Sequence, residues 1–195
     1  MKNKFTRGEG LLEEFLSRKR AKMADFFIRE SDRKGKILDI GCGKYPYFLS
    51  YVRFKRKYGI DYQEPIKSRE FKLKKADLAN LRRLPYNSNN FDVVAMLAVI
   101  EHLNPEIIQG ILKDIRRILK SEGRLIITTP SPIGNFVLKI MAIFKLVSHE
   151  EINEHKKIYS LKELERAAAA SGLKVVKKGN FEFFMNNYLC AEKNN

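Results

Sequence analysis

Leu11, Leu12, Phe15, Leu16, Met23, Phe26 and Phe27 recur at spacings of three and four between positions 9 and 30, with charged residues between them. That period predicts an amphipathic helix from Glu9 to Glu30. Gly35 breaks the pattern, and Lys36 to Ile40 reads as a short buried strand. After Gly41-Cys42-Gly43 a second helix is predicted from about Tyr45 to Lys55. Pro46 is tolerated in its first turn, where its missing N–H would lack an intrahelical partner anyway. Tyr58 to Asp61 forms a second strand that ends in a carboxylate, and Phe71 to Asp77 a third. A turn-rich connector from Leu84 to Asn90 leads to the run Phe91 to Ala98, apolar but for Asp92, as expected of a central strand covered on both faces. Asn104 and Pro105 open a helix to about Lys120, and Arg124 to Thr129 follows Gly123 as a fifth strand. Ser160 caps a helix from Leu161 to Ala170 that stops at Gly172. Leu173 to Phe181 and Phe184 to Glu192 close the chain as an antiparallel pair.

Strand and helix alternate, so the pattern predicts a single α/β domain over 1–195 with a doubly wound, mostly parallel sheet. Residues 1–35 form an N-terminal helical segment and 131–158 a helical insert, with no repeat and no linker. Within the insert, IGNFVLKIMAIFKLV (133–147) is apolar nearly all round. It falls short of the roughly 20 residues needed to span a bilayer. Three readings stand: a lid over an apolar acceptor, a helix lying on a membrane surface, or a helix buried against the domain or a partner chain. Pro130, Pro132 and Gly134 at its start would make a hinge for a lid.

At 195 residues with 44% hydrophobic content, the chain can bury one sizeable core. Its two cysteines, Cys42 and Cys190, lie far apart in strand-like contexts, so neither a disulfide framework nor a metal spacing follows. No metal is expected. The N-terminus has no apolar stretch of the secretory kind, and a cytoplasmic location is the expectation. Thirty-eight Lys and Arg against 23 Asp and Glu give a net charge of +15, a field that attracts nucleic acid, anionic membranes or acidic substrates. The basic residues are spread along the chain with no dense arm and no RNA-binding signature. They read as solvated faces, and charge alone names no partner.

The candidate chemistry starts at LDIGCGKYPYF, residues 38–48. Glycines after a first strand let the backbone approach a ligand closely, and the helix that follows supplies free N–H groups. In such a sheet a ligand sits beyond the carboxyl ends of the strands, at the switch point. A dinucleotide fingerprint would need a small residue where Pro46 stands. What identifies the loop is the order of its neighbours. Asp39 precedes it, Asp61 ends the second strand, Asp77 ends the third, and the apolar fourth strand leads to Glu101-His102. A carboxylate after the second strand can accept from both hydroxyls of a ribose, and one after the third from an adenine amino group.

With these residues the chain resembles the class I S-adenosylmethionine-dependent methyltransferases, near the group called methyltransferase type 11 or 12. The resemblance spans about residues 36 to 192. It rests on LDIGCG, GIDY, KADL, LPYNSNNFDVVAMLAVIEHL, ILKDIRRILKSEGRLIITTPSP and HKKIYSLKELERAAAASGL. The family loop reads acidic-x-Gly-x-Gly-x-Gly, and here Tyr45 stands in the third glycine position. The resemblance implies the Rossmann-like, seven-stranded fold of that family and S-adenosyl-L-methionine as cofactor. By it, Asp39 orients the cofactor's amino group and Gly41, Cys42 and Gly43 pass its methionine part. Asp61 holds the ribose and Asp77 lies at the adenine, with Tyr62 and Leu78 beside them as cofactor-binding residues; the alternative for Asp77, followed by Leu78, is simply the start of a turn. Methyl transfer demands mainly alignment and, where needed, proton removal. Glu101 and His102 are the candidates for substrate positioning or general-base work, and His155 is a second base candidate. Their alternative is a loop pair bonding nearby backbone, and His149 reads as solvated. The acceptor implied is a small or lipid-like molecule, with peripheral membrane contact through 133–147 as an option. The alternatives are a catalytically silent cofactor-binding partner protein, kept open by Tyr45, and an RNA methyltransferase, supported only by charge.

Overall fold

The computed structural model describes residues 12–81, 83–143 and 154–194. Seven strands form one sheet: β1 (Lys36–Ile40), β2 (Arg56–Asp61), β3 (Phe71–Lys75), β4 (Phe91–Leu97), β5 (Leu119–Pro130), β6 (Leu173–Phe181) and β7 (Asn186–Lys193). Their order is β3-β2-β1-β4-β5-β7-β6. The first five pair in parallel, and β7 runs antiparallel between β5 and β6. The expected α/β class, doubly wound sheet and closing antiparallel pair are all present.

Side-chain alternation along the strands divides the core. Leu38, Ile40, Val94, Met96, Leu125 and Ile127 lie on one face, against α3 (Pro105–Ile118) and α5 (Leu161–Ala170). The residues between them, Ile37, Val93, Ala95 and Ile126, lie on the other, against α1 (Glu13–Phe26) and α2 (Tyr47–Tyr51). Ile108, Ile111, Leu112, Ile115 and Ile118 of α3 are all buried, the apolar stripe its 3.6-residue period demands. β4 lies between β1 and β5, is buried on both faces and, apart from Asp92 near its start, reads as one apolar run.

Several boundaries differ from the sequence reading, each for a local reason. The predicted start of the first helix at Glu9, with Leu11, lies outside the described residues; its other end comes at Phe26 rather than Glu30. Beyond it Asp32 accepts from the backbone and guanidinium of Arg29, which opens a separate 3₁₀ turn over Glu30–Lys34. Arg124 donates to the Phe27 carbonyl at 2.6 Å and holds that exit against β5. The second helix is a single turn, because Val52 is already extended and fully packed in the core. Pro46 stands at its N-cap rather than inside its first turn. β5 starts at Leu119, five residues before Arg124, and pairs Leu119 with Phe91 before a register shift. β7 starts at Asn186 rather than Phe184, because Glu182, Phe183 and Phe184 all take left-handed backbone in a tight turn.

The apolar insert forms α4 (Pro132–Ile143), and residues 144–147 and His149 lie outside the described residues. Leu138 and Met141 pack against Leu16 of α1. Ile133, Phe136, Ile140 and Ile143 form an exposed stripe, with Phe136 66% and Ile143 74% accessible. Burial of that stripe within the described fold is therefore corrected. The proposed hinge at its start is pinned instead. Ser131 donates its N–H to the Met185 carbonyl at 2.9 Å and its hydroxyl to the Phe184 carbonyl at 2.5 Å, while its oxygen accepts the Gly134 N–H.

Gly134 is glycine because of close approach. A Cβ there would stand 1.7 Å from the Met185 carbonyl oxygen, which is backbone and cannot swing away. Gly134→Ala should cost about 1–3 kcal/mol through forced backbone shifts, read as a melting temperature several degrees below that of the parent. An unchanged melting curve would show that α4 is not seated on the β6–β7 turn.

Candidate active site

The sheet changes direction between β1 and β4, so the loops that leave their carboxyl ends part there and open a crevice. The two loops touch at Gly41 (φ +77°), where a Cβ would meet Val99 Cγ2 at 2.3 Å. Gly43 (φ +69°) has open space where its side chain would be, which leaves the backbone of the loop bare towards a ligand. Gly41 and Cys42 donate their N–H groups to the Ile60 carbonyl at 2.8 and 3.3 Å, so the loop is tied to the end of β2. Cys42 is buried, and its thiol is pushed well up, first by burial and then by Asp39 and Asp61; it is a packing group, not a nucleophile.

Asp61 is the loop's second anchor. One carboxylate oxygen accepts the Gly43 N–H at 2.8 Å and the other the Gln63 N–H at 2.9 Å. Asp39 is buried and makes no hydrogen bond or ion pair among the described residues. Burial, with Asp61 beside it, holds its carboxyl well above the ordinary range. Tyr62 is exposed, with its hydroxyl accepting from Gln63, and Tyr45 is partly exposed beneath the Lys44 ammonium. Asp77 stands two residues past the end of β3 and not on it. It is exposed, and its carboxylate accepts from Ala79 N and Asn80 Nδ2 in its own turn. Leu78 packs on the edge of the core. The structure thus gathers Asp39, Gly41, Cys42, Gly43 and Asp61 tightly, while Asp77 turns its carboxylate to its own loop.

On the far side of the crevice a second group forms. Ala98 takes left-handed backbone (φ +55°), an uncommon conformation for a residue with a Cβ, at the turn that carries the chain into a 3₁₀ turn at Ile100–His102. Glu101 is buried there and accepts from the Thr129 hydroxyl at 2.9 Å. His102 and His155 meet edge to face, with ring centroids 5.0 Å apart. His155 Nδ1 lies 2.9 Å from Asn135 Oδ1. Burial lowers the His155 pKa to about 4, helped by His102, Lys139 and Arg20, and its imidazole is uncharged at neutral pH. The segment that carries His155 is held by Lys156 N and Lys157 N on the Glu101 carbonyl and by Asn187 Nδ2 on the Tyr159 carbonyl at 2.8 Å.

Thr129, Asn135, Tyr159 and Asn187 were not legible as site residues in the sequence. Each becomes one only through pairings across the fold. Polar residues closing an apolar strand, as Thr128-Thr129 do, were the one local signal. The Tyr159 hydroxyl is buried with no hydrogen-bond partner among the described residues.

Fold and crevice define a class I methyltransferase architecture: a seven-stranded sheet with a reversed strand beside its edge, and a glycine loop facing a carboxylate. A family model described as "Methyltransferase domain" matches residues 11–178. The chain belongs to that family, in its class I S-adenosylmethionine-dependent form. A Methanocaldococcus jannaschii protein of uncharacterised role, MJ0638, is 32% identical over 138 residues, 67% of this chain. The match spans 59% of that relative's length. Among solved structures, a chain from the complex between the Haloferax volcanii Trm112 methyltransferase activator and a methyltransferase superposes with a TM-score of 0.75 at 15% identity, covering 94% of this chain and 92% of that one. The Burkholderia thailandensis 1,6-didemethyltoxoflavin-N1-methyltransferase, solved with its substrate and S-adenosylhomocysteine, gives 0.67 at 15% identity, covering 94% and 80%. At these identities the likeness is one of fold.

Asp61 generates the sharpest mutational expectation. Asp61→Ala removes the anchor of Gly43 together with two charge-assisted acceptors, each worth roughly 1.5–3 kcal/mol. Affinity for S-adenosylmethionine should fall about a hundredfold or more, measured by calorimetry. Asp61→Asn, which keeps one accepting oxygen, should lose less, and equal losses in the two variants would remove Asp61 from the ribose.

Proposed function

We propose that this chain binds S-adenosylmethionine across the loop after β1 and transfers its methyl group to a small-molecule or lipid-like acceptor lying beside Glu101, His102 and His155. The observation that carries this is the pair of carboxylates at one crest: Asp61 bonded to the bare Gly43 loop, and Asp39 buried with no partner of its own among the described residues. Asp39 suits the cofactor's ammonium group, and Asp61 its ribose. In the reaction the acceptor's lone pair forms a bond to the methyl carbon as the carbon–sulfur bond breaks. The sulfur leaves neutral, and any proton on the acceptor passes to a base at the crevice. Loss of the sulfonium charge supplies the driving force, so the protein's task is alignment and exclusion of water.

The small-molecule reading draws support from the Burkholderia enzyme, which was solved with 1,6-didemethyltoxoflavin bound. A lipid-like acceptor is supported by the exposed stripe of α4, which can cover an apolar molecule or rest on a membrane surface. No helix among the described residues is long and apolar enough to cross a membrane. Two buried free cysteines support a reducing, cytoplasmic setting. Titration with S-adenosylmethionine and S-adenosylhomocysteine, with NAD as the control, tests the cofactor. A folded protein that binds neither sulfur compound overturns the reading.

Asp39 gives that titration a pH signature. A cationic ammonium selects the ionised carboxylate, and the free protein holds this carboxyl protonated above its ordinary range. Below the raised value, binding must release a proton. Affinity should therefore climb as pH rises through the region above about 4 and then level off. Calorimetry in buffers of different ionisation enthalpy should detect the released proton, and Asp39→Asn should abolish it. Proton uptake would contradict the assignment.

The α4 stripe gives a second measurement. Phe136→Ser combined with Ile140→Ser alters exposed positions, so the melting temperature should change little. Turnover of an apolar acceptor should fall severalfold, with S-adenosylmethionine affinity preserved. A large loss of stability would mean that the stripe is covered in solution.

A further inference from the structure

Glu101, His102 and His155 do more than line one wall. One donor atom from each lies within 4.8 Å of the other two, although His155 comes from a segment far along the chain. A carboxylate and two imidazoles are a donor set for divalent transition metals. The surroundings hold the donors in place. Thr129 donates to one oxygen of Glu101, and the amide oxygen of Asn135 fixes His155 as its Nδ1–H tautomer, which leaves the lone pair on Nε2. The Glu101 carbonyl accepts from Lys156 N at 2.8 Å and from Lys157 N at 3.3 Å, so backbone bonds clamp the segment of His155 to that of Glu101. Hydrogen bonds of this outer kind fix the tautomer and orientation of metal ligands.

We propose that Glu101, His102 and His155 bind one divalent transition-metal ion, of the Zn²⁺, Co²⁺ or Mn²⁺ type, with a further coordination position open to the crevice. This goes beyond the sequence reading, which expects no metal. Arg20 and Lys139 stand near enough to His155 to bear on its charge. The ion's role rests on the methyl-transfer reading. An acceptor hydroxyl bound to the ion loses its proton to water near neutral pH. The resulting alkoxide or phenolate then forms the oxygen–methyl bond as the sulfonium carbon–sulfur bond breaks.

Metal uptake itself needs neither cofactor nor acceptor, so it is tested alone. Tag-free full-length protein, passed over chelator, is titrated with Co²⁺ while visible absorption and calorimetric heat are followed. One ion per chain is expected, with affinity at least tenfold lower in His155→Gln and in Glu101→Gln. S-adenosylmethionine affinity should be intact in His155→Gln. Should Glu101→Gln fail to fold, the His155 variant at its half-buried position decides. No uptake by the parent, or uptake equal in parent and variants, overturns the proposal. A separate titration of the same samples with S-adenosylmethionine keeps the outcomes apart: cofactor binding without metal uptake sinks the metal site alone, and the reverse sinks the methyl-transfer reading alone.

Discussion

Two carboxylates, Asp39 and Asp61, are buried side by side at the crest of the sheet, and the rest of the site is arranged around that cost. Like charges in a low dielectric repel, and neither is met by a cation among the described residues; Asp61 is held by backbone N–H groups alone. The adjacent strands β1 and β2 deliver both, Asp39 opposite Gly59 and Asp61 two residues further along β2, over a core closely packed by Leu38, Ile40 and Ile60. Replacing Asp61 with an apolar residue would relieve the burial cost, yet the Gly43 loop would lose its anchor. Strain of this sort, retained at the mouth of a crevice, marks a place where a ligand supplies the missing charge.

The sheet was legible because its signals are local and repeated. The apolar run Val93 to Leu97 of β4, the carboxylates near the ends of β1 and β2, and the cap at Ser160 each point to one element. Together they fix the strand sequence from which the parallel order follows. The Ser160 cap appears as read, with Glu163 returning a bond to the Ser160 backbone. Boundaries were legible only where a glycine or a cap marks them. α1 stops at Phe26 because Arg29 and Asp32 pair, a contact that no hydropathy pattern reports. Of the site, the glycine loop and Asp61 could be read from order along the chain. The Glu101–Thr129 and His155–Asn135 pairs could not, since they join residues that only β5 and α4 bring together. Asp77 shows the converse. Its position in the sequence allowed both a strand end and the start of a turn, and the carboxylate caps its own turn.

The insert and the C-terminal hairpin form one mechanical unit. Ser131 binds two carbonyls of the β6–β7 turn, and Gly134 is pressed against the same backbone. Any displacement of α4 must therefore carry the turn with it or break those bonds. Phe183 and Phe184, held in left-handed backbone, are exposed beside this clamp. Asn135, one turn into α4, touches His155, so the helix and the second wall of the crevice share a hydrogen bond. Covering the apolar stripe of α4, by acceptor or surface, is thereby linked through Asn135 to the orientation of His155.

The net charge of +15 sharpens the role assigned to the two aspartates. On the proposed reading the incoming cofactor carries a sulfonium and an ammonium against one carboxylate, a net positive charge, so the protein's field as a whole opposes it. At physiological ionic strength charges are screened beyond about 8 Å. The scattered lysines and arginines therefore weigh little on a group seated in the crevice, whereas carboxylates within a few ångströms dominate. Asp61, joined by Asp39 once the ammonium displaces its proton, creates a small negative well inside a positive molecule, and only a ligand that fits against the Gly43 loop can reach it. Methyl transfer then removes one positive charge from the cofactor. The product is held by the ammonium and ribose contacts without the sulfonium attraction, so the carboxylates hold it less tightly than the next cofactor.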